Sequence, residues 1–415
     1  MARAITRFIL HLHSTADSTS SVFSSIYEKY DNDYENPFLF LRTIATVPQL
    51  SSYITQLAWH QTDTAHQPAD HYFSKEEARL LSSRMQKTRH AFQQRLATSF
   101  ERWYSALESH SGNQGILLLF LSCLRIFHTT SSIAPTRASY PNTPAPWQAL
   151  LRHGGTDAFP CLHTLKIKIH HQHAEKGPLV TLFNIPTVKW LEIANLYQGS
   201  VNHMPFQPKS SNVEAIILRT SCVEDTVLAS MIDASKELIT LVYEHTKADS
   251  QMRLDHQAEP FHHPSLRASL IASVLERHAS TLRHLAIISE EHNGLYGFTP
   301  FEENECSFKN FGALQHIVLP SWWFWCLDRE VIQDMWHLCT SLPKGIPSVS
   351  IKSCVSARAY DVIMKGKGLG DDMPVLARSL ISHLPHLQQF HYGFFHSSTP
   401  DVHGDHLWEE VKEYC

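Results

Sequence analysis

The sequence predicts an α/β repeat array, in which short parallel strands alternate with helices along one direction. Three observations carry this expectation. First, the stretch FPCLHTLKI at 159–167 returns as IPTVKWLEI at 185–193 and as LPHLQQFHY at 384–392. Each is an apolar residue, a proline, a free position, then apolar residues at offsets 0, 3 and 5. Second, that apolar pattern starts at Ile54, Leu121, Leu162, Val188, Val213, Leu238, Leu282, Leu314, Ile346 and Leu387, with steps of 26, 25 and 25 residues after Leu162. The offsets alone arise by chance in an apolar-rich chain, so the regular spacing carries the inference. Third, the segments between the matches have helical periodicity.

The elements follow in order. The run FLFLRTIATVPQLSSYITQLAWHQ at 38–61 contains the first match, at Ile54. Residues 74–109 form a strongly helical stretch, with Ser74 and Glu77 spaced as a capping box. This helix suits a cap on the N-terminal edge of the array, because terminal repeats need a covered outer face. Strands are expected at 164–167, 190–193, 215–218, 240–243, 284–287, 316–319 and 389–392. After the third of these, Val227, Leu228, Met231 and Ile232 fall on one helical face, and Glu224 and Asp225 suit a helix N-terminus. Further helices are expected at 264–278 and 373–384, with Pro264 and Pro374 in their first turns. Pro160, Pro186 and Pro385 end each helix and leave the next strand extended.

A strand and a helix cannot bury their apolar sides alone, but stacked neighbours bury them together. A 25-residue unit lies within the roughly 20–29 residues of leucine-rich repeats. Later steps of 44, 32, 32 and 41 residues imply insertions, so the expected fold is an irregular leucine-rich-repeat solenoid. It would form an arc, with parallel strands on the concave side and helices on the convex side. The domains expected are an N-terminal region with a helical cap at 1–110, the array at 111–395 and a C-terminal tail at 396–415.

Composition narrows the function. Of 415 residues, 43% are hydrophobic and 18% charged, enough apolar material for a large core. The net charge of −5 offers no overall attraction to nucleic acid or an anionic membrane, and neither is expected as a partner. The eight cysteines include no C-x-x-C pair and mostly lie in apolar runs, the pattern of a reducing, intracellular compartment. No stretch is apolar enough to span a membrane, and the run near 7–13 is too short and mixed for a secretory signal. The expected location is cytoplasmic or nuclear.

The repeat LRTSCVEDTVLASMIDASKELITLVYEH at 218–245, together with 38–61, resembles the fungal F-box-associated leucine-rich-repeat proteins. The similarity runs from about Phe38 to Tyr392. It implies a non-catalytic array that recognises proteins, in the role of substrate receptor of a ubiquitin ligase, with the cullin-ligase linker protein as a partner. Residues 1–37 contain no recognisable F-box: they hold few helix-forming apolar positions and the polar run STADSTSS. The alternatives are a scaffold without a ligase connection and an enzyme with a cleft at the sheet edge.

Catalytic motifs are absent. There is no Walker A loop, G-x-S-x-G, G-x-G-x-x-G or H-E-x-x-H, and glycine is scarce at 15 residues. The 29 histidines cluster at 170–173, 262–263 and 403–406 without metal-site spacing, and read as solvated loop residues. No metal, cofactor or catalytic residue is expected. Strand alternation places the remaining candidates. If offsets 0, 3 and 5 face the core, then Lys166, Lys168, Trp190, Glu192, Arg219, Glu244, His284 and His316 share the opposite face of the sheet. That face is expected to mix both charge signs around one large aromatic, which suits a protein partner. The run SWWFWCLD supplies a second candidate anchor in Trp322, Trp323 and Trp325.

Overall fold

A computed structural model describes residues 56–60, 126–132, 161–170, 182–196, 206–245, 267–289, 307–320, 340–354 and 382–395. The chain divides into two compact units, Met1–Leu165 and Lys166–Cys415. In the first, β1 (Gln56–His60) pairs in parallel with β2 (Ile126–Ser132), Gln56 opposite Ile126. β1 lies within the region expected as a helical cap; the helix expected at 74–109 falls outside the described residues.

Eight strands run side by side in chain order from the division between the units onward: β3 (Thr164–His170), β4 (Trp190–Ala194), β5 (Ala215–Ser221), β6 (Thr240–His245), β7 (His284–Ser289), β8 (His316–Pro320), β9 (Ser348–Cys354) and β10 (Gln389–Phe395). Every pairing resolved from β4 to β10 is parallel. The seven strands expected in this region are present. β9 adds an eighth, at the match that begins with Ile346.

The repeated phrase has a geometric cause. Offset 0 closes a four-residue turn ahead of four of the strands. Val188 N–H donates to the Ile185 carbonyl, Leu314 to Phe311, Ile346 to Pro343 and Leu387 to Leu384. Pro186 and Pro385 occupy the second position of this turn, where a fixed φ near −65° is an advantage. Their role is thus to shape the turn as well as to stop a helix. The residue just before each strand then holds the next one in register. The carbonyls of Lys189, Glu214, Ile239, Arg283 and Pro347 each accept two N–H groups, from the first residue of the following strand and the residue before it. The same pair of hydrogen bonds recurs at every one of these steps, which keeps the phrase in phase from strand to strand.

From Leu162 to Ile351 the residues at offsets 0, 3 and 5 are buried. Leu165, Leu191, Ile216, Leu241 and Leu285 are 0–1% exposed, as expected from the alternation. α1 (Asp225–Ala234) buries Val227, Leu228, Met231 and Ile232 on one side. Its first residue, Asp225, is ion-paired at 2.5 Å with Arg267, the residue before α2 (Ala268–Leu275), so the two helix starts are joined. The Asp225 carboxylate also holds the Arg267 guanidinium above its ordinary pKa. α2 begins at Ala268 behind an extended Arg267, so Pro264 precedes the helix rather than opening it.

Two polar side chains lock this core. Tyr243 stands at offset 5, where its neighbours in the sheet carry Ile167, Ile193, Leu218, Ile287, Leu319 and Ile351. Its hydroxyl accepts from the Val223 N–H at 3.1 Å and lies 2.8 Å from His245 Nδ1, pinning the segment before α1 to β6. His278, 3% exposed, accepts the Leu238 N–H at Nδ1 and donates from Nε2 to the Ile232 carbonyl. Leu238 is an offset-0 residue, so the imidazole stands where a turn carbonyl serves Val188, Leu314, Ile346 and Leu387. Burial holds His278 below the ordinary histidine pKa and keeps the ring neutral.

Candidate recognition face

The second face of the sheet is built from the residues between the core positions. In-register pairing sets them in rows. One row runs Trp190, Ala215, Thr240, His284, His316, Ser348 and Gln389; the next runs Glu192, Ile217, Val242, Ala286, Val318, Ser350 and His391. Beyond them lie Ala194 and Arg219, and on the neighbouring strands Glu244 and Ile288. The eight strand residues expected to share this face do so by register, alternation and direct contact. Trp322, Trp323 and Trp325 fall outside the described residues.

Three of the expected residues form one unit. Glu192 places Oε2 at 3.0 Å from Lys166 Nζ and Oε1 at 2.6 Å from Arg219 Nε. Three successive strands therefore contribute a cation, an anion and a cation. The Glu192 side chain is 12% exposed, against 23% for Arg219 and 38% for Lys166, so the carboxylate is sunk between two more accessible cations. Lys168 is exposed, two residues along β3, and makes no ion pair among the described residues.

Backbone geometry aims Arg219. The register between β5 and β6 shifts between Leu218 and Ser221, so Arg219 and Thr220 form a bulge. Thr220 has φ of 41°, a left-handed conformation uncommon for a β-branched residue, and Asn195 has φ of 59°. Their side chains hold each other: Thr220 Oγ1 donates to Asn195 Oδ1 at 2.6 Å. Bulges of this kind re-aim a side chain at the end of a strand.

The centre of the face differs from the expectation of mixed charge. Ile217, Val242, Ala286, Ile288 and Val318 form an apolar cluster, 1–8% exposed, with Trp190 packed against it. The reason is that β5 to β8 are apolar at consecutive positions, as in Ile216-Ile217-Leu218 and Ile317-Val318-Leu319. Strands that read as continuous apolar runs are buried on both faces. The residues expected on this face were the polar and aromatic ones, so these central apolar residues were missed. The signal was the loss of alternation itself.

Polarity returns toward β9. His316 Nδ1 lies 2.8 Å from Ser348 Oγ, with His284 in the next strand of the same row. Burial, with a smaller contribution from Arg283, holds His284 below the ordinary histidine pKa. Ser350 Oγ and Trp190 Nε1 are buried and find no hydrogen-bond partner among the described residues. Among those residues, no group of three or more His, Cys, Asp or Glu side chains is placed to hold a metal ion, and no helix is long and apolar enough to cross a membrane. No family model, curated protein or solved structure matches the chain.

Proposed function

We propose that this chain is a non-catalytic protein-recognition module, an arc-shaped leucine-rich-repeat-like solenoid whose helices lie outside and whose second sheet face meets a protein partner. The observation that carries this reading is the Lys166–Glu192–Arg219 ladder beside Trp190. It joins Arg and Trp, the residues that most often dominate interfaces, on rigid neighbouring strands. The partner-facing surface is the accessible margin over β3 to β5, since the central cluster is already buried. The resemblance to the fungal F-box-associated repeat proteins extends the reading to a substrate receptor of a ubiquitin ligase, with the cullin-ligase linker protein as second partner.

Affinity purification with mass spectrometry, followed by direct binding of the captured protein, tests the reading. The double variant Trp190→Ala, Arg219→Ala should weaken that binding. Undiminished affinity would move the site elsewhere, first to Trp322, Trp323 and Trp325. Co-purification of the cullin linker supports the receptor role, and a stable partner without it makes the chain a scaffold.

A further inference from the structure

We infer that the β3–β5 margin of the second face receives an extended acidic segment of the partner, with carboxylates at alternate residues. This rests on the protein-recognition reading above and adds the chemistry of what is recognised. Two cations, Lys166 and Arg219, flank the carboxylate of Glu192, and Lys168 stands two residues along β3 from Lys166, on a chain of net charge −5. Glu244, on β6, brings a further carboxylate and leaves the margin cationic. A local cationic patch on an anionic protein steers anionic partners and repels the wrong ones.

Glu192 prepares the site. By holding Lys166 and Arg219 it removes much of the rotamer freedom that a ligand would otherwise have to quench. It is the most buried of the three, at 12% exposure against 38% for Lys166 and 23% for Arg219. Lys168 supplies the charge that is not internally paired among the described residues. Lys166 and Lys168 both project from one side of β3. Their spacing along the strand, about 6.6 Å, is the distance between alternate residues of any extended chain. An extended segment alongside β3 with acidic side chains at i and i+2 therefore meets both lysines at once.

The test uses the full chain and a fluorescein-labelled Glu-Ser alternating octapeptide, read by anisotropy at low salt. A peptide of the same composition with its glutamates in pairs serves as comparison. Saturable binding of the alternating peptide, stronger than that of the paired one, is the expected result. Lys168→Glu should weaken it about fivefold, while Lys344→Glu, the same charge change at an exposed turn, should alter it less than about twofold. Because Lys168 is exposed, unchanged thermal melting of its variant is the check on folding. Equal losses from both variants, or no preference for alternation, would overturn the proposal. So would tighter binding of an oligothymidylate that is equally sensitive to Lys168→Glu, which would make the site a phosphate-backbone contact. If these arms fail while a captured partner still loses affinity on Trp190→Ala, Arg219→Ala, the acidic segment is wrong and the protein-recognition reading stands.

Discussion

β5 sets two isoleucines side by side and on opposite faces of the sheet. Ile216 is 0% exposed against the helices, and Ile217 is 1% exposed in the cluster with Val242, Ala286 and Val318. They are equally buried, yet they belong to different kinds of surface. Ile216 is one copy of a position that stays apolar from Leu165 to Phe390, because every unit stacks on its neighbour in the same way. Ile217 lies in a row that changes along the sheet, from Glu192 through four apolar residues to Ser350 and His391. The helix side answers to the repeat, so it is uniform. The second face answers to whatever lies over each strand, so it varies.

The largest effect should come from that pair. Ile216→Ala is expected to cost about 2–5 kcal/mol, and Ile217→Ala about the same if the second cluster is a true core. Equilibrium denaturation of both variants measures it. A cost below about 1 kcal/mol for Ile217→Ala would make the second face a crowded surface instead.

His278 sharpens the helix side. Replacing it with alanine leaves the Leu238 N–H and the Ile232 carbonyl without their buried partner, at a cost of about 1–3 kcal/mol near neutral pH. The pH dependence has a definite sign. Burial lowers the folded-state pKa of His278 and of His284 below the ordinary histidine value of 6.5. Both therefore contribute stability that is fully present above about pH 6.5 and is lost as pH falls toward the lowered values, because the unfolded chain binds the protons first. Denaturation midpoints measured from pH 8 to 5 should decline on the acid side. A double His278→Gln, His284→Gln variant should flatten that decline, and an unchanged slope would assign it to other groups.

Smaller effects separate the charged margin from a stabilising core. Arg219→Ala should cost about 1 kcal/mol or less, because its pair is partly exposed and Glu192 keeps Lys166 as a partner. Lys189→Ala, in an exposed pair with Glu214 ahead of β4 and β5, should change stability by less than about 0.5 kcal/mol. Thermal melts of both variants provide the measurement. A large loss for Arg219→Ala would mean that the ladder is structural rather than presented to a partner.

The helix-side core was legible in detail. Offset positions such as Leu165, Leu191 and Leu241 could be named because the period of two within strands and the 25-residue step between them agree. α1 was legible from the spacing of Val227, Leu228, Met231 and Ile232. The candidate site was legible only as a list of same-face residues. Nothing in the spacing of Lys166, Glu192 and Arg219 says that one carboxylate would take both cations. That depends on strand order, on register and on the bulge at Arg219–Thr220, each of which involves residues about 25 positions apart. His278 is similar: its ring serves Leu238, 40 residues earlier, and looks in sequence like one histidine among 29.

By itself the sequence determined the unit: the turn, the strand, the apolar offsets and the alternation that sorts residues into two faces. These are local, set by backbone sterics and by the need to bury one side of each short segment. Tertiary structure alone decided what the second face became. Whether a residue there is solvent-facing, ion-paired or buried depends on the strand beside it and on what covers it, and the period-two pattern carries no information about either. That is why Lys166 and Arg219 came together over Glu192, and why Ile217 and Val242, two strands of the same design, closed into a second apolar cluster.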